Sequence, residues 1–264
     1  MKPITLALLS LAFVLAGCQH ARFADAYTSQ VEAAHGADAW RRYPALSCDI
    51  TVTLGSETMI EGAMLFETSL ARSRLDLADG TIVVFDGRDA WVSPAESPLQ
   101  AARFHALTWP YFAAVPMKLG DRGARLTELG ARTLQGTTYH AAAMTFKPGT
   151  GDTPDDWYVL YVHPRSGLLR AMAYIITYGT DATGAEQDPH AITYHDHVTL
   201  GELPRGQVQF ATRWQFWGWD PDEGIVGDAI GQAVLSNVRL TDPPVDTFTI
   251  PQDSRVDVLP EGGP

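Results

Sequence analysis

The feature that most constrains the fold is an alternation of apolar and polar residues that runs from Ser47 to about Phe85. Every even-numbered residue from Cys48 to Leu54 is apolar, and the residues between them are polar. A period of two is that of a β-strand with one buried face. Asp79-Gly80 and Asp86-Gly87 interrupt the alternation with residues that tolerate positive φ, as hairpin turns require. Short strands divided by such turns predict an antiparallel meander rather than a parallel α/β sheet.

The same pattern resumes in the second half of the chain, from Arg125 onwards. It predicts strands at 139–146, 157–162, 168–178, 192–200, 207–219 and 225–240. The stretch from Leu168 to Tyr178 is apolar on both faces, so we expect it to be covered on both sides. The chain has no internal repeat and no interior linker, which favours one domain.

Two stretches lack the strand alternation. Tyr27 to Ala34 has helical character, and Gly36 is placed to end that helix. Pro94 to about Pro116 is rich in aromatic residues and poor in charge, and we interpret it as one or two helices interrupted at Pro110. So apolar a helix must bury much of its surface. We expect it to plug one mouth of a curved sheet.

The chain begins with a segment typical of bacterial lipoprotein export. Lys2 precedes an apolar run from Ile4 to Ala16, and Leu15-Ala16-Gly17-Cys18 has the pattern of a lipobox. The run is shorter than the ~20 apolar residues that a membrane-spanning helix needs. We therefore predict that residues 1–17 are a cleaved signal peptide and that lipid is attached to the sulfur of Cys18. The alternative is an ordinary signal peptide followed by an incidental cysteine.

The lipobox sets the predicted location and the division of the chain. Gln rather than Asp follows Cys18, which favours the outer membrane with the protein facing the periplasm. Beyond the signal peptide (1–17) we predict a tether (18–25), a single domain (26–251) and a loose C-terminal tail (252–264).

Charge and cysteine content exclude several classes of partner. The formal net charge is −12, which argues against nucleic acid and against electrostatic docking to an anionic membrane. With Cys18 committed to lipid, Cys48 has no internal partner. Its place on the apolar side of a strand predicts a buried, inert thiol. No motif indicates a cofactor, and we expect none.

His190, His195 and His197 form the densest cluster of potentially catalytic side chains. On a strand, His195 and His197 would share a face about 7 Å apart, where both could ligate one metal ion. His190 or His163 could supply the third ligand of a zinc site. The alternative is the polar face of a half-buried strand, opposite Ile192, Tyr194, Val198 and Leu200.

Other candidates are weaker. The aromatic run from Gln215 to Trp219 suits either stacking on a sugar or lipid or a place in the core or a cavity wall. Asp220 to Gly224 is acidic but lacks the spacing of a calcium loop. Motifs of serine hydrolases, phosphate loops, dinucleotide sites and zinc proteases are missing from the sequence. We therefore expect a binding protein and no enzyme.

Several short motifs in a fixed order carry a family resemblance. They are His35-Gly36 with Trp40, Asp86 to Trp91, Tyr194 to Val198 followed by Gly201 to Pro204, and Phe248 to Pro251. Together with the strand pattern, they resemble the outer-membrane lipoprotein-sorting and lipoprotein-carrier-like superfamily, and within it bacterial lipoproteins to which no function is assigned. The resemblance implies a mainly β (α+β) fold, a curved incomplete antiparallel β-barrel covered by an N-terminal helix and a mid-chain helical insert.

The resemblance also implies an apolar cavity between the sheet and the helices, which in better-known relatives receives acyl chains. The lipobox departs from the soluble carriers and favours a tethered receptor over a shuttle. We expect a membrane-anchored protein that binds a lipid or an acylated partner. The predicted cavity residues are Trp91, Phe104, Trp109, Phe112 and Trp217. The alternatives are a cell-envelope hydrolase with a metal at the histidines of 190–197 and a protein-binding sensor or scaffold.

Overall fold

The computed structural model describes residues 22–259, and their architecture is one open antiparallel sheet. Its thirteen strands are β1 (Ala45–Leu54), β2 (Glu57–Glu67), β3 (Ser73–Leu77), β4 (Ile82–Phe85), β5 (Ala90–Ser93), β6 (Ala124–Leu134), β7 (Thr137–Phe146), β8 (Tyr158–Val162), β9 (Leu169–Tyr174), β10 (His190–Leu200), β11 (Val208–Asp220), β12 (Gly224–Thr241) and β13 (Arg255–Asp257). The strand order is 13-5-4-3-2-1-12-11-10-9-8-7-6.

This order consists of two meanders joined side by side. Strands β1–β5 form one, strands β6–β12 form the other, and β1 pairs with β12 between them. Every strand pair is antiparallel, and β6 and β13 lie at the two edges, so the sheet is not closed. The predicted class, a mainly β fold built on an incomplete antiparallel barrel, is confirmed.

Helices contact both meanders from one face of the sheet. They are α1 (22–35), α2 (Ala37–Trp40) and α3 (Ala102–Ala114), with a 3-10 turn at Val115–Met117. A fourth short helix, α4 (Ala182–Ala185), lies between β9 and β10 in the chain. The hydroxyl of Tyr27 on α1 donates to the carbonyl oxygen of Leu160 on β8 at 3.3 Å. The indole of Trp40 on α2 donates to the carbonyl oxygen of Thr68, just after β2, at 2.9 Å. The main hydrophobic core lies between the helices and this face.

Gly36 separates α1 from α2, as the sequence predicted. Its φ is +76°, and a Cβ there would lie 2.1 Å from the carbonyl oxygen of Gln207. Only glycine combines that backbone conformation with so close an approach. The close contact between Gly36 and Gln207 therefore places α1 and α2 against the start of β11.

The predicted interruption at Pro110 is wrong, because α3 runs through it. Proline lacks the N–H that would donate to the carbonyl oxygen four residues earlier, which is that of Ala106. The Ser73 hydroxyl on β3 donates to this oxygen instead. At the other end of the helix, the Asp257 carboxylate accepts from the backbone N–H of Arg103 at 2.8 Å.

A second hydrophobic cluster lies on the opposite face of the second meander. Its buried members are Leu134, Ala141, Tyr161, Ala171, Ala173, Ala191 and Trp219. The turn between β11 and β12 reaches across to β6, where a Cβ on Gly224 would lie 2.9 Å from Leu134 Cδ1. Strand β9 contributes to both clusters, which confirms that it is covered on both sides.

Two chain boundaries differ from those expected. Residues 22–25, predicted as tether, belong to α1. Within the tail predicted to be loose, Arg255 to Asp257 pair with β5. Arg255 also donates to the carbonyl oxygen of Leu99 at 2.9 Å, and such long-range polar contacts leave no periodic signal in the sequence.

The predicted signal peptide and Cys18 lie outside the described residues. Among residues 22–259, no helix is both long enough and apolar enough to cross a bilayer.

Candidate functional site: an apolar cavity beside α3

A cavity of about 220 Å³ lies against the face of α3 that is turned towards the second meander. Its walls come from α3 and from several parts of the sheet and its loops. Helix α3 contributes Phe104, Leu107, Thr108, Tyr111 and Phe112, and the chain entering β3 contributes Leu70, Arg72 and Ser73. The remaining wall consists of Phe146 on β7, Tyr158 on β8, Thr150 to Thr153 with Asp156 in the loop between those strands, and Ile176 with Tyr178 after β9. Rings and aliphatic side chains therefore form most of the wall.

The aromatic rings of the cavity wall pack against one another. The ring centroids of Tyr111 and Tyr158 are 5.8 Å apart, and those of Phe146 and Tyr158 are 5.7 Å apart. Phe104 packs on Tyr178 at 5.4 Å. Burial raises the pKa of both Tyr111 and Tyr158, so both phenols stay neutral in the physiological range. This aromatic part of the wall can therefore bury apolar ligand surface without placing a charged phenolate against it.

Polar groups of the wall are concentrated in the loop between β7 and β8. Asp156 is buried, and its carboxylate accepts from the backbone N–H of Thr177 at 2.7 Å and from the hydroxyls of Thr177 and Thr153, both at 2.8 Å. Burial raises the pKa of the Asp156 carboxyl, against the lowering effect of these hydrogen bonds. The network fixes the end of the loop that enters β8.

An ion pair joins the same loop to α3. The guanidinium of Arg103 donates to both carboxylate oxygens of Asp152, at 2.5 and 2.9 Å. A third bond runs from Arg103 to the carbonyl oxygen of Arg88 at 2.8 Å, and the guanidinium lies 5.2 Å from the centre of the Phe85 ring. Because Arg103 is only 9% exposed, its charge requires these partners.

Of the three cavity residues predicted on α3, two lie at the cavity and one lies behind its wall. Phe104 and Phe112 line it directly. Trp109 lies behind the wall, between His105, to which its indole donates at 3.0 Å, and Phe216 on β11. Trp109 is thus a core residue that supports the helix rather than part of the cavity surface.

The other two predicted cavity residues lie elsewhere. Ala90 and Val92 face the main core, so Trp91 between them points to the other face of the sheet. There its indole N–H donates to the Asp86 carboxylate at 2.9 Å. Trp217 likewise packs against the second cluster and donates to Thr193 at 3.0 Å. Neither tryptophan contributes to the cavity wall.

The predicted histidine cluster does not assemble into a metal site. His195 hydrogen bonds to Thr193 Oγ1 at 2.8 Å, His197 lies 6.4 Å from the ring of His35, and His190 stacks on Tyr174. Among residues 22–259, no group of three or more His, Cys, Asp or Glu side chains is placed to hold a metal ion. Asp196 between the two histidines has a φ of +52°, which breaks the regular alternation assumed from sequence.

Sequence reasoning missed Arg103, Asp152 and Asp156. A signal for Arg103 was present, because a lone cation within an aromatic helix that must be buried needs an acceptor. The identity of that acceptor, 49 residues away, is not readable from local sequence.

The chain matches no family model and no curated protein sequence. Its fold is similar to that of a LolA superfamily protein from Nitrosomonas europaea, with a TM-score of 0.52 and 13% identity over 83% of this chain and 97% of that one. A putative outer membrane lipoprotein-sorting protein domain from Vibrio parahaemolyticus also has a TM-score of 0.52, with 10% identity over 86% of this chain and 97% of that one. The chain therefore has the LolA-like curved-sheet fold, which confirms the fold that the sequence resemblance implied.

Proposed function

We propose that this is a non-enzymatic, lipid-anchored protein of the cell envelope that binds one acyl chain, from a lipid or an acylated protein, in the cavity beside α3. The observation that carries the proposal is the cavity itself, with Phe104, Leu107, Tyr111, Phe146 and Ile176 in its wall. Each methylene group moved from water into such a wall contributes about 0.8 kcal/mol.

The size of the cavity favours a single chain. Its volume of about 220 Å³ is below the roughly 300–1,000 Å³ of pockets that enclose whole drug-sized ligands. One acyl chain would enter it while the polar remainder of the ligand stays near Thr150, Asp152 and Thr153 or in solvent. The two similar structures are a LolA superfamily protein and a putative lipoprotein-sorting domain. This likeness of fold supports a lipid or an acylated protein as the ligand of this chain.

Anchoring through Cys18 would place this binding at the membrane surface. A tethered protein cannot carry cargo freely across the periplasm, so we propose a receptor or sorting role at the outer membrane. The support for anchoring is the lipobox from Leu15 to Cys18 and the apolar run before it.

A binding titration tests the proposal. The chain from residue 18 with Cys18→Ser is mixed with a dansyl-labelled fatty acid, and fluorescence and native mass spectrometry report uptake. We expect one probe per chain and competition by unlabelled lipid. Leu107→Trp, which fills the cavity from α3, should weaken binding roughly tenfold or more. Leu129→Trp, a matched change against the second cluster, should not. Failure of the Cys18→Ser chain to take up acyl probe would refute the function.

A further inference from the structure

The loop between β7 and β8 forms one side of the cavity wall. Thr150, Gly151, Asp152 and Thr153 all line the cavity. Hydrogen bonds fix both ends of this loop. At its start the backbone N–H of Lys147 donates to the carbonyl oxygen of Gly123 at 3.0 Å, and at its end the Asp156 carboxylate accepts from the backbone N–H of Thr177. Residues 148–155 lie between these fixed points, and we call them the flap.

The backbone of the flap contains two points that are open to rotation. Gly149 and Gly151 have φ values of +77° and +68°, and a Cβ at either would meet nothing within 4 Å. Space around a glycine in a left-handed conformation permits large changes of φ and ψ, which is what a hinge requires.

The contact that closes the flap is asymmetric. Arg103 is held by Asp257 through its backbone, by the Arg88 carbonyl and by the Phe85 ring, besides Asp152. Within the described chain, the hydrogen bonds of the Asp152 carboxylate are those to Arg103. Without this pair, Arg103 would keep its other partners, whereas the Asp152 carboxylate would keep none of these hydrogen bonds.

We propose that the flap is the entrance to the cavity and that the Arg103–Asp152 ion pair is the latch that holds it closed. This inference rests on the proposed function, because it describes how an acyl chain reaches that cavity. On this proposal α3 is fixed in the main core, and the part of the wall that moves is the loop opposite it.

A reversible cross-link tests the flap directly. A Cβ built on Gly123 lies 3.3 Å from the Cβ of Thr150, just below the roughly 3.5–4.5 Å of a disulfide. Gly123 has a φ of +114°, so a cysteine there strains the backbone, and the reduced double variant, which carries the same strain, is the reference for the oxidised one. Gly123→Cys with Thr150→Cys, in the Cys18→Ser chain, should lock the flap on oxidation. We expect stopped-flow uptake of the dansyl fatty acid to slow roughly tenfold or more when oxidised and to recover on reduction. The two single-cysteine variants are the controls.

A second variant tests the latch without a cross-link. Asp152→Asn keeps the shape and removes the charge that pairs with Arg103, so uptake should become several-fold faster. Asp155→Asn changes an exposed carboxylate of the same flap and should leave the rate unchanged. Wild-type uptake rates in both the oxidised double-cysteine protein and Asp152→Asn would overturn the flap while leaving acyl binding intact. Absence of uptake in the unmodified Cys18→Ser chain would instead overturn the proposed function.

Discussion

The hydroxyl of Ser73 on β3 donates to the carbonyl oxygen of Ala106 on α3 at 2.6 Å. That oxygen is the one to which Pro110 cannot donate. A side chain from the sheet thus replaces a bond within the helix, and it does so where both residues line the cavity. The bond allows a proline inside an uninterrupted helix and fixes α3 to the first meander.

Ser73→Ala should lower the free energy of unfolding by about 1–3 kcal/mol, because it leaves a buried carbonyl without its donor. Pro110→Ala restores a backbone N–H at the right position, so the Ser73→Ala cost should shrink in that background. Urea unfolding of the two single variants and the double variant measures the coupling. Purely additive costs would show that Ser73 does not compensate for the proline.

Cys48 should be unreactive in the folded protein. Its side chain is 4% exposed, and burial raises the pKa of the thiol, so neither access nor thiolate is available. In the Cys18→Ser chain, alkylation by iodoacetamide should be roughly a hundredfold slower in buffer than in denaturing urea. Leu203→Cys, at a position that is 85% exposed, provides the fast reference in the same chain. Equal rates at both positions would contradict the buried thiol.

Stability should fall as the pH drops from about 6.5 to about 4. Burial lowers the pKa of His35 to about 4 and outweighs the hydrogen bond between Nδ1 and the carbonyl oxygen of Val31 at 3.0 Å, which acts in the opposite direction. In the unfolded chain the His35 ring takes up a proton near pH 6.5, whereas in the folded chain it does so only near pH 4. The contribution of the neutral ring to the free energy of unfolding is therefore fully present above pH 6.5 and is lost as the pH falls towards 4. The contribution is up to about 3 kcal/mol. His197 faces His35, and its pKa is also lowered, first by burial and then by Arg170.

His35→Gln tests the origin of this acid sensitivity. Urea unfolding at pH 7, 6 and 5 should show a shallower loss of stability than in the unsubstituted protein. His163→Gln, which changes a histidine of the turn between β8 and β9, should keep the full slope. An unchanged slope in His35→Gln would assign the pH dependence to other groups.

The regular parts of this fold could be predicted from sequence because their signal is local. Alternation with a period of two marked the strands, and Asp79-Gly80 and Asp86-Gly87 marked turns that the structure contains. The double burial of β9 followed from apolar residues on both faces. By contrast, β13 is only three residues long and carries no period, so its pairing with β5 was not predictable.

The site was less predictable because its composition depends on which face each strand presents. A neighbouring pair such as Phe216 and Trp217 must point to opposite faces, and the sequence does not say which of the two meets the helices. The partner of Arg103 depends on a contact across 49 residues. Helical residues such as Phe104 and Phe112 were easier to place, because an apolar helix must face the core.

Two aromatic truncations separate the cavity wall from the opposite face of the sheet. Phe104 lines the cavity and Trp91 does not, although both side chains are partly buried. Phe104→Ala removes ring surface that would contact the ligand, and should weaken binding of the dansyl fatty acid by about 1–3 kcal/mol, or roughly 5- to 150-fold. Trp91→Phe keeps a ring and loses only the hydrogen bond to Asp86, so its Kd should stay within about twofold.

Both variants are compared by fluorescence titration, with urea unfolding to confirm that each is folded at the assay temperature. A loss of affinity in Trp91→Phe equal to that in Phe104→Ala would move the binding site to the opposite face of the sheet. Since Trp217 lies on that face as well, Trp217→Phe should follow Trp91→Phe in either outcome.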